Sequence, residues 1–341
     1  MMKAHHICFT AKEKAEFLEY ELNPVPVCDQ LLVKVEFDVI SAGTELANYH
    51  AYPNTAGSQR FPLTVGYSTS GRVVAVGPEV TDFKPGDRVI GVWLGHRSWY
   101  CESQKFFYHI PDGISMEHAA AAHLLSFPML GVRKLNLQMG EACMIAGLGL
   151  LGQFSVQLAR LSGACPVLAC DYSPERRALA LELGADHVFD PAEPDFIEKV
   201  KEITGGGPDA VVEVTGFIPA LQQALEYIAW QGRISLLGCT RVSDQCIDYY
   251  KYIHRRGITL VGAHTDSRPQ VESRPGQWTA KDDYRTFFRY MSSGRLQIDK
   301  VIPHRASPRD AEQIYRTIGF EKNPPLGILL DWRDIDGDEK I

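Results

Sequence analysis

Hydrophobic and polar positions divide the chain into parts with different periods. From residue 7 to about residue 111, short alternating or apolar runs such as 31–35, 71–77 and 86–91 are separated by glycine and proline. β-Branched residues are frequent in these runs, so this part is predicted to form an all-β, barrel-like unit. A segment of helical composition, 115–135, follows it.

Strands and helices alternate in the middle of the chain. Stretches with helical spacing separate apolar runs at 142–146, 167–170, 187–189, 209–214, 233–238 and 258–262. This alternation predicts an α/β fold with a doubly wound parallel sheet, whose ligand lies across the carboxyl ends of the strands. The remainder contains a polar loop, two helices and a last strand, and is expected to complete the first unit. We therefore predict domains at 1–125, 126–266 and 267–341.

Three glycines open the middle part in the order G-x-G-x-x-G, at Gly147, Gly149 and Gly152. In a strand, turn and helix of this kind, the first glycine permits the sharp turn and the second lets a pyrophosphate approach. The third lets the helix pack on the strand, and the helix N-terminus offers free N–H groups to phosphates. A plain glycine-rich turn is the alternative. Asp171 ends the next apolar run, about twenty residues downstream, and favours the dinucleotide.

The acid at Asp171 also bears on which dinucleotide binds. A carboxylate there accepts both ribose hydroxyls of the adenosine half and repels a 2′-phosphate, so NAD is favoured over NADP. Arg176 fits a ribose contact and a solvated helix position equally well, and Asp171 also fits as a helix cap. The residues predicted to bind the cofactor are Gly147, Leu148, Gly149, Leu150, Leu151, Gly152, Asp171, Tyr172, Arg176, Thr215, Gly238 and Cys239.

Composition narrows the classes of partner. The 341 residues are 45% hydrophobic and 23% charged, with a net charge of −7 and no basic run, which argues against nucleic acid and against an anionic membrane surface. No apolar stretch is long enough to cross a membrane, and the N-terminus lacks the plan of a signal peptide, so we expect a cytoplasmic protein that acts on a small molecule. The eight cysteines form no C-x-x-C pair and are predicted to be core hydrophobes.

The motifs together resemble the medium-chain dehydrogenase/reductase superfamily of alcohol, polyol and quinone dehydrogenases. Residues 65–77 are similar to its G-H-E segment and the strand that follows, residues 83–89 to its turn, and 184–186 and 212–216 to parts of its cofactor lobe. The resemblance covers nearly the whole chain. It implies a GroES-like β-barrel catalytic domain built from both chain ends, a Rossmann domain between them, and a homodimer or homotetramer.

The zinc ligands of this family are the main departure. Its zinc-dependent members use a cysteine in an I-C-G-T-D-like motif and the residues of G-H-E, where this chain has Ala42, Tyr67 and Ser68; Ser126 or a neighbour stands at the last ligand position. Alanine cannot ligate zinc, and serine and tyrosine are poor ligands beside cysteine and histidine. We therefore predict no metal site. A relocated metal would have to use other residues, such as His123, Glu45 or His96.

Without zinc, a proton donor and acceptor must lie at the substrate oxygen. Tyr67 is the first candidate, because it occupies a former ligand position and an ordinary phenol, with a pKa near 10, suits a general acid. It fits equally well as a tyrosine that fills the space left by zinc. The resemblance matches Thr44 to the start of a proton relay and Glu45 to the acid that braces the G-H-E histidine; both also fit as caps. Secondary candidates are His96, His123 and His264.

The resemblance and the departures together favour a zinc-independent, NAD-dependent oxidoreductase that interconverts a secondary alcohol and a ketone. The motif at 41–45, S-A-G-T-E, also resembles a subgroup that includes the bacteriochlorophyllide hydroxyethyl dehydrogenases. One alternative is an NAD(P)H-dependent quinone or enone reductase, and another is a cofactor-binding protein without catalytic activity. The loop 266–278 is a candidate substrate wall or lid.

Overall fold

A computed structural model describes residues 1–243, 245–274 and 276–336 of the chain. They divide into two compact units: the first contains Met1–Leu124 and the described residues from Tyr284 onwards, and the second is 125–283. The sequence-based boundary at 266 lies before the end of the second unit, because the loop beyond it is held there. Arg268 donates to the backbone oxygen of Ser126, and Asp283 pairs with Arg133 at 2.5 Å.

The first part of the chain is mostly β-structure. Its elements are β1 (Met2–Ala11), β2 (Lys14–Leu22), β3 (Gln30–Val39), α1 (Ala42–Tyr49), β4 (Leu63–Thr64), β5 (Ser68–Val76), β6 (Arg88–Val92), β7 (Trp99–Ser103), β8 (Phe107–His109) and α2 (Met116–Ala119). Helix α1 interrupts a region that the sequence pattern assigns to strands. It has only eight residues and buries Glu45, Ala47 and Tyr49, so its apolar face is too short to give a clear helical period.

The second unit contains a six-stranded parallel sheet. Its elements are α3 (Ala122–Lys134), β9 (Cys143–Ala146), α4 (Leu150–Leu161), β10 (Val167–Cys170), α5 (Pro174–Glu182), β11 (His187–Phe189), α6 (Phe196–Thr204), β12 (Ala210–Glu213), α7 (Ile218–Tyr227), β13 (Arg233–Leu236), β14 (Thr259–Gly262) and α8 (Ala280–Ser292). The strand order is β11-β10-β9-β12-β13-β14, with every pair parallel. The two unit boundaries fall within α3 and α8. This is the predicted doubly wound sheet.

The chain then returns to complete the first unit with β15 (His304–Ala306), α9 (Ala311–Phe320) and β16 (Ile328–Asp331). Strand β16 pairs with β3, which gives a seven-stranded sheet in the order β15-β16-β3-β5-β6-β8, with β7 also on β3. Strands β2, β1 and β4 form a second, smaller sheet. The core of this unit joins side chains from both ends of the chain, among them Phe9, Val33, Tyr315 and Trp332.

The cysteine prediction is wrong for part of the set. Cys8, Cys143 and Cys170 are buried, but four others are exposed because they lie in connections between elements: Cys28, Cys165, Cys239 and Cys246. Among the helices of the described ranges, none is both long and apolar enough to cross a membrane.

Candidate functional site

The glycine turn between β9 and α4 has the geometry of a phosphate cradle. Gly147 adopts φ +95°, which favours glycine, and a Cβ at Gly152 would lie 1.9 Å from the Gly147 backbone oxygen. Gly149 caps α4, and a Cβ built on it would meet no atom within 4 Å, so its backbone faces open space. Leu150 and Leu151 begin α4, whose first N–H groups have no partner within the helix. These features fit a dinucleotide's pyrophosphate at the helix N-terminus.

Asp171 follows β10 and lies against the glycine turn. Its Oδ2 accepts the Leu148 N–H at 2.8 Å, and its Oδ1 accepts the Ser173 N–H at 2.9 Å. The Nη1 of Arg176 is 4.0 Å from Oδ2, and Tyr172 is exposed beside it. The carboxylate thus holds the loop before α5 and stands at the carboxyl end of the sheet, so its capping and its proposed ribose-binding roles are compatible.

The next two strands bring the other predicted cofactor residues to the same edge. Thr215 follows β12 and would meet a Cβ on Gly147 at 2.7 Å. Glu213 accepts the Thr215 N–H at 2.8 Å. Burial raises the pKa of the Glu213 carboxyl and outweighs this hydrogen bond, which lowers it. Gly238 follows β13, where a Cβ would come 2.2 Å from the Gly216 nitrogen, and exposed Cys239 comes next. The residues predicted to bind the cofactor therefore lie at or just beyond the carboxyl ends of β9, β10, β12 and β13.

Tyr67 lies in the first unit, directly before β5. Its side chain is buried, and its hydroxyl donates a hydrogen bond to the Oγ of Ser41. The ring centroid of Trp93 is 5.0 Å from that of Tyr67, and the Trp93 N–H donates to the Tyr67 backbone oxygen at 3.1 Å. Trp93 is 53% exposed and adopts φ +63°, so a strained backbone presents a large apolar ring beside the tyrosine.

His123 contacts the same aromatic group. Its ring lies edge-on to the rings of Tyr67 and Trp93, with centroid distances of 5.8 and 4.7 Å. Its Nδ1 is 2.6 Å from the Tyr284 hydroxyl oxygen, and the side chain is buried. His123 therefore lies beside the candidate acid and is oriented by a second tyrosine.

Glu45 and His96 form a buried charged group together with Asp38. The Nδ1 of His96 is 2.9 Å from Asp38, and its Nε2 is 3.2 Å from Glu45. Burial alone would lower the pKa of His96, but the two carboxylates, Glu45 foremost, outweigh it and raise that pKa from 6.5 to about 10. Burial opposes ionisation of Glu45 too, yet His96 holds the Glu45 pKa below its ordinary value. His96 is thus an imidazolium in the core.

The remaining two candidates are placed differently. Thr44 lies half-buried on α1, and its backbone oxygen accepts a hydrogen bond from the Asn48 side chain at 2.9 Å. His264 is exposed on the second unit, where its Nδ1 is 3.3 Å from the Asp266 carboxylate. The structure thus joins Tyr67 to His123 by ring contact and leaves His264 at the surface of the other unit.

Sequence reasoning did not single out five residues that complete these contacts, namely Asp38, Ser41, Trp93, Tyr284 and Tyr315. Ser41 stands directly before α1, and because serine is a preferred residue at that position, it was a usable local signal for the helix start. The others are brought in from distant parts of the chain, and no local pattern marks them.

Comparison with known proteins agrees with this architecture. Residues 29–128 match the family model for the alcohol dehydrogenase GroES-like domain, and residues 151–276 match that for zinc-binding dehydrogenase. The chain is 30% identical over 322 residues to L-threonine 3-dehydrogenase of Pyrococcus furiosus, covering 85% of this chain and 88% of that protein. The chain belongs to the medium-chain dehydrogenase/reductase superfamily. It is therefore an oxidoreductase of the alcohol dehydrogenase type.

Two further proteins are similar to this chain. D-guloside 3-dehydrogenase of Escherichia coli K12 is 26% identical over 331 residues, covering 89% of this chain and 94% of that protein. The crystal structure of a putative zinc-binding dehydrogenase from Sinorhizobium meliloti 1021, bound to NADP, superposes with a TM-score of 0.82 at 23% identity, covering 97% and 100% of the two chains. A pyridine nucleotide is the cofactor that the superfamily and the glycine cradle imply.

The zinc implied by the superfamily does not fit the residues of this chain. Ala42 offers no donor, and Ser68 Oγ donates to the Ala120 backbone oxygen at 2.6 Å and accepts the Leu124 N–H at 3.3 Å. In the second unit, Ser126 Oγ accepts a hydrogen bond from the guanidinium of Arg268 at 3.2 Å.

Nor do the described side chains offer another metal centre. Within 1–243, 245–274 and 276–336, no group of three His, Cys, Asp or Glu is arranged to hold an ion. The histidine and two acids around His96 touch one another, but each ring nitrogen already faces a carboxylate. No common point is left at which these groups could converge on a metal.

Proposed function

We propose that this protein is a zinc-independent, NAD(H)-dependent dehydrogenase that interconverts a secondary alcohol and a ketone by hydride transfer. The observation that carries the proposal is the replacement of the metal-binding histidine by Tyr67, a phenol hydrogen-bonded to Ser41 beside an aromatic surface. Relatives named D-guloside 3-dehydrogenase and L-threonine 3-dehydrogenase support an alcohol as the substrate, and we infer a polyol, a sugar or a similar compound.

The preference for NAD rests on Asp171. Its carboxylate stands at the end of β10 and is fixed by two backbone N–H groups, so a negative charge of fixed position would be offered to the adenosine ribose. Such a charge accepts ribose hydroxyls and repels a 2′-phosphate. Residues Gly147, Gly149 and Gly152 would hold the pyrophosphate. When bound, NAD supplies the acceptor for the hydride of the alcohol carbon.

Tyr67 would manage the proton at the substrate oxygen. In ketone reduction its hydroxyl gives a proton to the developing alkoxide, and in alcohol oxidation the same oxygen takes the proton back. Ser41 Oγ can donate to the phenol oxygen while that oxygen lacks its proton, because a hydroxyl both donates and accepts. The rings of Trp93 and His123 both pack against the ring of Tyr67 and against each other, which restricts the orientation of the Tyr67 side chain.

The first experiment assays purified protein, with its metal content measured, against secondary alcohols, polyols and sugars with NAD and in parallel with NADP. We expect NADH to form, NAD to be preferred, and the rate to survive a chelator. Loss of activity on chelation and its return with zinc would overturn zinc independence. Consumption of NADPH with enones but no reaction with alcohols would assign the reductase instead, and NADH binding without any turnover would assign a non-catalytic role.

The role of Tyr67 is tested by Tyr67→Phe, which removes the hydroxyl and keeps the ring. We expect kcat to fall by about 10²- to 10⁴-fold, the range for loss of a general acid, with little change in NAD affinity. Tyr52→Phe is the control, because Tyr52 is a half-exposed tyrosine of the same unit. Full activity in Tyr67→Phe would remove Tyr67 from the mechanism.

A further inference from the structure

The core of the first unit contains a charged cluster that a structural role alone does not explain. We define the His96 cluster as Asp38, Glu45, His96 and Tyr315, each at most 2% exposed. Burying ions costs several kcal/mol each, and well-packed apolar side chains would fill the same space with equal or better stability. The cluster therefore needs a reason other than packing.

The cluster reaches the Tyr67 hydroxyl through one end of Glu45. Oε2 of Glu45 faces His96 and accepts the Tyr315 hydroxyl, while Oε1 accepts the Ser41 backbone N–H at 2.7 Å. A serine before a helix ordinarily caps it with its side chain, but Ser41 makes no such bond. The Ser41 hydroxyl instead accepts a hydrogen bond from the Tyr67 hydroxyl, so Glu45 holds the backbone of the residue whose side chain binds Tyr67.

His96 also contacts the backbone on which Tyr67 stands. A Cβ at Gly66, the residue before Tyr67, would come 2.4 Å from the His96 ring, so the ring is pressed against that backbone. The backbone N–H of His96 donates to the backbone oxygen of Val65 at 2.6 Å, and the backbone N–H of Gly95 donates to the backbone oxygen of Gly66 at 3.1 Å. The His96 side chain therefore acts on the Tyr67 hydroxyl in two ways. It contacts the backbone next to Tyr67, and through Glu45 it contacts Ser41, the hydrogen-bond partner of the hydroxyl.

We propose that the His96 cluster acts through Glu45, a positioning residue, to fix the hydroxyl of Tyr67 for proton transfer. Nδ1 of His96 faces Asp38, while its Nε2 and the Tyr315 hydroxyl both bind Oε2 of Glu45. The Glu45 carboxylate is thereby held in one orientation, which leaves its Oε1 for the Ser41 backbone N–H. The buried ring touches no substrate itself. This inference rests on the proposed function, because it assigns how the proton donor of that reaction is held.

The test is a double-mutant cycle between the cluster and Tyr67. Glu45→Gln is expected to lower kcat by at least about tenfold in the wild-type background, with KM for NAD unchanged, and by less than about twofold in the Tyr67→Phe background. A residue that only stabilises the fold would lower activity by the same factor in both backgrounds. That additive outcome would overturn the inference.

A milder variant covers the case in which a charge change prevents folding. Tyr315→Phe removes only the hydroxyl that donates to Glu45, and is expected to lower kcat by at least about threefold when Tyr67 is present and to have no effect when it is absent. The matched control is Tyr49→Phe, because Tyr49 is equally buried with its ring centroid 5.9 Å from that of Tyr315. Equal losses in Tyr315→Phe and Tyr49→Phe would also overturn the inference.

The two proposals fail in different ways. If Tyr67→Phe alone keeps full activity, Tyr67 is not the proton donor. The cluster then has no catalytic hydroxyl to position, so both proposals are wrong. If Tyr67→Phe is impaired and the cluster variants are additive with it, only the positioning role falls. A loss in kcat that disappears in the Tyr67→Phe background supports both.

Discussion

The glycine turn of the second unit and the His96 cluster of the first are assembled in opposite ways. The turn is built from consecutive residues, 147–152, and each glycine answers a local backbone requirement. In the cluster, by contrast, the Asp38 and His96 partners lie 58 residues apart and the Glu45 and Tyr315 partners 270. The turn works by the absence of side chains, whereas the cluster works by charges that only the folded sheet and helices bring together. Substitutions should therefore affect the two regions differently.

The largest effect is expected where the glycine turn leaves no room. In Gly152→Ala the added Cβ would lie 1.9 Å from the Gly147 oxygen, a backbone atom that can move only with the turn. We expect a loss of about 3 kcal/mol in the free energy of unfolding, and no measurable nucleotide binding. Thermal unfolding and titration with NADH measure the two quantities.

The matched control is Gly149→Ala, three residues earlier in the same turn. Its Cβ would meet no atom within 4 Å, so the melting temperature should not change. NADH affinity should still fall by about tenfold, because the methyl group occupies the space into which a pyrophosphate comes. If Gly149→Ala bound NADH as tightly as the wild type, the turn would not be the phosphate cradle.

The His96 cluster predicts a pH dependence of stability that the glycine turn does not. The pKa of His96 rises from 6.5 to about 10 on folding, so its stabilisation is fully present below pH 6.5 and is lost as the pH rises towards 10. Burial raises the pKa of the Asp38 carboxyl. Burial acts in the same direction on Glu45, but His96 outweighs it and holds the Glu45 pKa below its ordinary value. The buried thiols Cys143 and Cys170, with pKa values raised by burial from 9.0 to about 12, add a loss only above pH 9.

Between pH 6.5 and 9, the free energy of unfolding should therefore fall by up to about 1.4 kcal/mol per pH unit, the slope for one proton. Urea unfolding at several pH values measures this slope. His96→Gln should be less stable at pH 6.5, because it leaves two buried carboxylates without their cation, and its slope over this range should be lost. His254→Gln, an exposed histidine of the second unit, should keep the wild-type slope. An equal slope in His96→Gln would show that His96 is not the titrating group.

How far the sequence predicts each region follows from the same contrast. Gly147, Gly149, Gly152 and Asp171 can be predicted from the sequence because chain geometry fixes their spacing. The parallel sheet can be predicted from the alternation of strands and helices. His96 was predicted as a secondary candidate for proton transfer, and the structure shows that its side chain is fully buried. Its partners Asp38 and Tyr315 come from β3 and α9, and the pairing of β3 with β16 that draws the two ends of the chain together is not encoded in any local pattern. Charged residues in the sequence do not show whether they face solvent or one another.

The smallest expected effect concerns Asp171, where a local motif carries a charge. Asp171→Asn keeps the size of the side chain and one oxygen, enough for one of the two backbone N–H bonds from Leu148 and Ser173, and removes the negative charge. We expect kcat/KM with NAD to fall by about tenfold and that with NADP to rise, because the repulsion of a 2′-phosphate is gone. The control is Glu175→Gln, which replaces a carboxylate in the first turn of α5 that accepts the Ser173 hydroxyl at 2.7 Å, and it should leave the preference unchanged. If Asp171→Asn kept the full preference for NAD, Asp171 would serve only to hold the loop, and other residues would have to set the cofactor preference. Arg176, whose Nη1 is 4.0 Å from the Asp171 carboxylate, would then be the next residue to replace.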